Sequence, residues 1–201
     1  GFSWPSPARV GDEAERLANA ANNSQGQTSS SSPKRYLWDM KPSRQEWRFA
    51  ASGESDLESP VNTGDFVRFI NDYGMPLAVD GGRRYRWVGV PVGQPEFPVT
   101  EPRFCRSSLM MFFIAELITQ ALSQIFSPEY RMNRGLADVP RRLRTLILTT
   151  PPAMPIAERK IFENWVYAAI DNVWRALEWD EGSGPGYLKV SKPRVRMQLD
   201  E

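Results

Sequence analysis

The residue types that could do chemistry in this chain are mainly carboxylates and basic side chains, because it contains no histidine and one cysteine, Cys105. Without histidine, Ser-His and Cys-His catalysis, histidine metal ligation and imidazole acid/base chemistry are excluded. One cysteine excludes an intramolecular disulfide framework and a thiolate zinc site, and it fits a reducing, cytoplasmic compartment. Cys105 lies just before a predicted helix, and a packing role for it is favoured over a nucleophilic one.

Two adjacent glycines, Gly81 and Gly82, could cradle a phosphate with their backbone amides. A helix N-terminus normally supplies further amide donors at such a site, and none is predicted to follow these glycines. The surrounding segment, Leu77 to Val90, consists of two β-rich runs on either side of the glycines. This pattern favours a β-hairpin, because glycine readily adopts the positive φ of a tight turn.

Two groups of arginines resemble the basic and aromatic mixture of nucleic-acid-binding surfaces. They are Arg141, Arg142 and Arg144, and Arg83, Arg84 and Arg86 beside Tyr85 and Trp87. However, the 25 basic residues are balanced by 24 acidic ones, so the chain has no global field to attract nucleic acid. Solvated strand ends and salt bridges are the favoured interpretation, and we expect no nucleic-acid partner.

A short strand that leads into a long helix dominates the second half of the chain. The continuous apolar run from Leu146 to Leu148 predicts a strand buried on both faces. Pro151 and Pro152 end this strand, because proline cannot donate to a ladder and disfavours helical dihedrals in the preceding residue. The helix can therefore begin only near Pro155, as at the corner of an α/β lobe.

This helix carries one apolar stripe with helical spacing. The stripe consists of Phe162, Trp165, Val166, Ala169, Ile170, Val173, Trp174 and Leu177. The opposite, water-facing side is expected to consist of Glu163, Asn164, Asp171, Asn172, Arg175 and Glu178. We therefore expect Trp165 and Trp174 to be buried, and the glycine-rich residues 181–186 to stop the helix.

A second long helix and a second strand are predicted around this unit. Leu109 to Phe126 is apolar but carries a polar stripe, which argues against membrane insertion and predicts a mostly buried helix capped by Ser107 or Ser108. The stripe consists of Glu116, Thr119, Gln120, Ser123 and Gln124. Alternating apolar residues predict a half-buried strand from Arg194 to Leu199. We expect this strand beside the one at Leu146 to Thr149, in a sheet covered by both long helices.

The length and composition predict a single lobe or a fragment of a larger protein over residues 1–201. A start at Gly1 without a leader is interpreted as a cut from a longer chain without a signal peptide. Residues 22–32 predict a flexible Ser/Asn-rich loop and residues 91–102 a proline-rich linker. Short helices are expected around Ala14 to Ala21 and from Phe66 to Tyr73, the latter ended by Gly74.

Four segments carry a family resemblance: SPKRYLWD, PRFCRSSLMMFFIAELITQAL, LTTPPAMPIAER and the terminal VRMQLDE. Together they resemble the virulence factor SrfB family of bacteria over nearly the whole chain. In the same order they are similar to the first ATPase lobe of heat-shock-protein-seventy chaperones, as is ARVGDEAERLA. This resemblance implies a partial actin-like (ribonuclease H-like) ATPase lobe of the α/β class, with a mixed sheet and long covering helices.

The chaperone resemblance implies roles for four residues. Lys34 would help to position the attacking water and the γ-phosphate, and Glu201 would lie near the magnesium shell. Pro151 and Arg159 would relay the nucleotide state to a partner domain. For each residue except Pro151 a simpler role is also open: a solvated cation for Lys34, a frayed surface carboxylate for Glu201, and an ion pair with Glu158 or Glu163 for Arg159.

The resemblance implies ATP and magnesium as ligands of the full-length protein. The glycine-rich phosphate loops of the actin-like family are absent from this chain, so no cofactor is expected for the fragment. The alternative is a protein-interaction or scaffold module without nucleotide chemistry, because a shared fold does not confer activity. Enzymatic activity of the full-length protein and its protein partners stay open at this point.

Overall fold

The computed structural model describes residues 4–20, 30, 32–42, 65–78, 97–100, 103–133, 138–139, 141–179 and 190–199. Its helices and strands are α1 (Gly11–Ala20), α2 (Leu109–Phe126), α3 (Pro128–Met132), β1 (Thr145–Thr150), α4 (Ile156–Ala176) and β2 (Arg194–Leu199). Short 3₁₀ turns occur at Pro33–Tyr36, Asp65–Phe69 and Arg106–Ser108. The predicted combination of helices and strands is therefore confirmed.

The core lies mainly between α2 and α4, which pack against each other. Helix α4 begins directly after Pro155, as expected, because proline suits the entry to a helix. Trp165 and Trp174 are both buried, which confirms the apolar stripe. Each indole N–H also has an acceptor: Trp165 donates to Ser107 Oγ at 2.8 Å and Trp174 to the Val190 carbonyl at 2.9 Å. The tryptophans therefore anchor α4 to two other segments of the chain.

One residue of α4 was assigned to the wrong side of the helix. Asn172 was expected to face water, but it is fully buried against α2. Its Nδ2 lies 3.5 Å from Met111 Sδ, and its Oδ1 is buried without a hydrogen-bond partner among the described residues. The polar side chain lies inside because α4 is covered over more of its circumference than one apolar stripe.

Strands β1 and β2 form a two-stranded parallel sheet. Thr145 pairs with Arg194, and the register runs to Thr150 and Leu199. The prediction that the two strands share a sheet is confirmed, with α4 as part of the crossover between them. Burial of β1 on both faces was wrong, because Ile147 is 55% exposed and only Leu146 and Leu148 pack against the core. In the described part of the chain, the outward face of the sheet has no second layer over it.

Helix α2 follows the Arg106–Ser108 turn, and its predicted serine cap was wrong. Ser107 Oγ donates to the Leu37 carbonyl at 2.6 Å, and Ser108 Oγ donates to the Cys105 carbonyl at 2.7 Å. Both hydroxyls are buried and find carbonyl acceptors instead of the first amides of the helix. By length and composition alone, Arg106–Phe126 could cross a membrane, but half of its most apolar window is buried inside the protein. A core helix of this kind passes the same test.

The predicted helix from Phe66 to Tyr73 was also wrong in extent, because only the 3₁₀ turn Asp65–Phe69 forms. The chain then reverses at Asn71, whose side-chain oxygen accepts the amides of Tyr73 and Met75, both at 3.0 Å. Gly74 has φ of 78° in this reversal. An asparagine side chain that binds nearby amides competes with helix formation, which explains the early stop.

Several predicted segments lie mostly or entirely outside the described residues. They are the loop at 22–32, the hairpin at 77–90 with Gly81 and Gly82, the linker at 91–102 and the glycine-rich residues 181–186. Helix α4 ends at Ala176, before the last of these segments begins.

Candidate functional site

Glu116 in the middle of α2 is a buried carboxylate, with a side chain that is only 1% exposed. Its Oε2 accepts a hydrogen bond from Trp4 Nε1 at 2.9 Å and lies 3.6 Å from Arg9 Nη1. Its Oε1 accepts a hydrogen bond from Gln120 Nε2 at 3.0 Å. The nearby guanidinium and two donors compensate for the lost hydration of the carboxylate. This network ties the N-terminal segment to α2.

An open cleft of about 700 Å³ lies beside this network. Its lining residues are Trp4, Arg9, Glu13, Glu116, Leu117, Gln120, Ala121, Ser123 and Gln124. Arg9 stacks over the Trp4 ring at 5.2 Å, and Arg16 hydrogen-bonds the Glu13 carboxyl and lowers its pKa. Glu116 is fully engaged in holding the chain together, so the cleft can bind through its surface groups but presents no activated nucleophile or general base within the described residues.

The sequence did not reveal this network. Glu116 was assigned to a polar stripe of the helix, but Trp4 lies 112 residues away along the chain. Periodicity reports which side of a helix a residue occupies and not which distant residue covers it. A glutamate within the most apolar helix of the chain was the available signal, since charged groups are rarely buried unless paired.

Lys34 and Arg159 both lie near the beginning of α4. Lys34 is exposed, and its Nζ stands 5.4 Å from the centroid of the Phe162 ring. Arg159 lies three residues before Phe162, which places the two side chains on neighbouring positions of the helix. The Nε atom of Arg159 is buried without a hydrogen-bond partner, and the described residues include no ion pair from Arg159 to Glu158 or Glu163.

Pro151 lies at the same end of the sheet. It is exposed and follows β1 directly, and its carbonyl accepts the amide of Met154 at 3.0 Å in the turn that leads into α4. Since β1 and β2 are parallel and Thr150 pairs with Leu199, the carboxyl ends of both strands lie at the same end of the sheet. Glu201 itself lies outside the described residues. Pro151 therefore lies in the turn between β1 and α4, Arg159 lies in the first turn of α4, and Lys34 lies beside Phe162 in the second.

The single cysteine has the packing role that was predicted. Cys105 is fully buried, and burial raises the pKa of its thiol. A thiol with a raised pKa carries little thiolate at neutral pH and is a poor nucleophile. Within the described residues no group of three or more cysteine, aspartate or glutamate side chains could hold a metal ion.

We expect the Cys105 thiol to react with a chromogenic disulfide reagent only after unfolding. Because its pKa is raised in the folded state, the neutral thiol stabilises the fold below the pKa of the unfolded chain, about 8.5. This contribution should decrease as the pH rises through the folded-state pKa. Denaturant unfolding at several pH values measures how the free energy of unfolding decreases with pH. In the control variant Cys105→Ala, the part of this decrease that comes from the thiol should be absent. Rapid labelling of the folded protein at neutral pH would contradict the prediction.

The sequence matches the family model described as Virulence factor SrfB over residues 1–200. The chain belongs to this family. A match over almost the whole length means that the network at Glu116 and the turn between β1 and α4 both lie within the family's domain. No curated protein and no solved structure matches the chain significantly.

Proposed function

We propose that this SrfB-family chain is one lobe of a larger virulence-associated protein with an actin- or chaperone-like nucleotide-binding fold. The observation that carries the proposal is the position of Pro151 directly after β1, with Arg159 and Lys34 beside the first two turns of the helix that follows. In open α/β sheets, ligands usually bind beyond the carboxyl ends of the parallel strands. Pro151 follows such an end directly, and α4 begins a few residues later.

The charges near this end of the sheet suit a phosphate. Lys34 and Arg159 bring two cations to the first two turns of α4, and Arg159 Nε lacks a partner within the described residues. Phosphoryl transfer depends on positioning and charge stabilisation rather than on covalent groups of the protein. In the full-length protein, Lys34 would orient water and the γ-phosphate, Glu201 would lie near magnesium, and Pro151 and Arg159 would transmit the nucleotide state.

We further propose that the 201-residue chain does not bind nucleotide by itself. Among the described residues, no glycine-rich loop precedes a helix to supply amide donors for phosphate oxygens. Lys34 is solvent-exposed, and an exposed ion pair contributes only about 0 to 1 kcal/mol. The phosphate loops and the adenosine pocket would come from other parts of the larger protein.

An interaction or scaffold module is the second candidate function. It is favoured by large apolar side chains on the surface, of which Phe97 is 67% exposed and Ile156 71% exposed. Ile156 is the first residue of α4, so a partner could contact the same end of the sheet without nucleotide chemistry. In both cases we propose a cytoplasmic protein without membrane insertion or a nucleic-acid partner, in which α2 serves as a core helix.

Calorimetric titration with magnesium-ATP separates these proposals. We expect no measurable heat of binding for the 201-residue chain and saturable binding for a longer form of the protein. In the longer form, Lys34→Ala and Arg159→Ala should weaken binding, whereas Lys41→Ala, an exposed lysine in the same segment, should not. Micromolar binding by the 201-residue chain would contradict the proposal that it does not bind nucleotide by itself. Absence of binding by the longer form would leave the scaffold function.

A further inference from the structure

Within the described part of the chain, each strand of the sheet pairs along one side only, because the sheet consists of β1 and β2. The alternation in a parallel ladder directs the N–H and C=O groups of successive residues to opposite sides of a strand. Arg194 N–H donates to the Arg144 carbonyl, and Thr150 Oγ1 contacts the Gln198 carbonyl. The backbone N–H and C=O groups of Arg194, Arg196 and Gln198 therefore point towards β1. The backbone groups of Val195 and Met197 therefore point to the outer edge of β2.

The outer edge of β2 is unpaired in the part of the chain that the structure describes. No backbone hydrogen bond joins Val195 or Met197 to another described segment. Such an edge is a template for another strand, and natural proteins usually cover or block it. Parallel sheets, in addition, are normally buried on both faces, whereas Ile147 on the outward face here is 55% exposed. The unpaired edge favours the addition of a further strand, and the exposed face shows that this side of the sheet is accessible.

The side chains of β2 define what the added strand must contain. Arg194 and Arg196 project from the outward face, both are exposed, and neither makes an ion pair within the described residues. Val195 and Met197 project from the inward face and pack half-buried against the core. A neighbouring strand would place its outward residues beside the arginines and its inward residues beside Val195 and Met197.

We propose that the outer edge of β2 binds an extended acidic segment of a partner protein as a third strand. Acidic residues would alternate with apolar ones, so that carboxylates meet Arg194 and Arg196 while apolar side chains extend the inward face. The ladder to Val195 and Met197 supplies affinity, and the charge alternation supplies specificity. The edge of β1 is a poorer match, because its outward residues are Thr145, Ile147 and Thr149 and carry no charge. The interaction does not depend on nucleotide binding.

The test uses a labelled peptide of alternating glutamate and valine, about eight residues long, to cover the strand. Fluorescence anisotropy should show saturable binding that weakens with salt. The same residues in block order, and a peptide with lysine in place of glutamate, should bind at least about tenfold more weakly. Whenever the block-ordered peptide places carboxylates at both arginines, it also places one beside the half-buried Val195, and the lysine peptide places like charges at the arginines. Amide exchange should slow at Val195 and Met197 when the peptide is added.

Variants of β2 separate the ladder from simple charge attraction. The double variant Arg194→Gln, Arg196→Gln should weaken peptide binding about 2- to 30-fold, since each cross-strand charge pair contributes modestly. Arg142→Gln, an exposed arginine outside the ladder, should leave binding unchanged. Met197→Pro removes one outward N–H and should abolish binding, whereas Met197→Ala truncates the side chain but keeps the amide and should retain it.

Three results would overturn the proposal. One is equal binding of the block-ordered peptide or of a single-stranded oligonucleotide of similar charge, which would indicate attraction to arginines without a strand. Another is unchanged amide exchange at Val195 and Met197 in the presence of saturating peptide. The third is strong protection of both amides before any peptide is added, which would show that the chain already covers this edge.

Discussion

Replacing Trp165 by alanine is expected to lower the free energy of unfolding by about 3 to 5 kcal/mol, because the indole is fully buried between α4 and α2. Its removal leaves a cavity that well-packed neighbours fill only in part. The substitution also breaks a hydrogen-bonded connection from Trp165 Nε1 through Ser107 Oγ to the Leu37 carbonyl. Denaturant unfolding followed by circular dichroism measures the loss.

Two controls identify the source of this effect. Trp165→Phe keeps most of the buried volume but removes the N–H donor, so we expect an intermediate loss of about 1 to 3 kcal/mol. Trp38→Ala removes a tryptophan that is 52% exposed and should cost much less than the Trp165 change. A loss under about 1 kcal/mol for Trp165→Ala would show that the α2–α4 core is not the stabilising centre of the chain.

Replacing Gly74 by alanine should be the second severe change, with an expected loss of about 2 to 5 kcal/mol. A Cβ on Gly74 would lie 2.5 Å from Ser108 Oγ and 2.8 Å from Ser108 Cβ, closer than such atoms approach each other. Ser108 is buried and its hydroxyl bonds the Cys105 carbonyl, so it cannot move aside without losing that bond. The φ of 78° adds the strain of a left-handed backbone.

Gly11 provides the matched control for this prediction. It also has a positive φ, 64°, but a Cβ built there meets nothing within 4 Å. Gly11→Ala should therefore show the backbone strain alone, about 1 to 2 kcal/mol, and the difference between the two variants measures the clash with Ser108. Thermal or denaturant unfolding of both variants side by side gives this difference. Equal losses would mean that Ser108 accommodates the methyl group.

The long helices and both strands could be predicted from the sequence because local patterns specify them. The apolar stripe of α4 and the prolines before it gave the helix start and the burial of Trp165 and Trp174. The alternation in β2 and the crossover through α4 gave a shared sheet. Periodicity and proline chemistry act within a few residues, so they can be recognised without tertiary contacts. The segments that resemble SrfB likewise identified the family from the sequence.

The tertiary structure decided which polar residues are buried and what they bind. Glu116, Asn172 and Ser107 all occupy positions that local patterns assigned to a polar stripe, a wet face or a cap. Their partners Trp4, Met111 and Leu37 are remote in sequence. The exposure of Ile147 and the edge of β2 that pairs with no described segment could not be predicted locally either, because an apolar run does not reveal how many layers or strands surround it. Burial and hydrogen bonding depend on segments that only folding brings together, so local sequence patterns could not predict them.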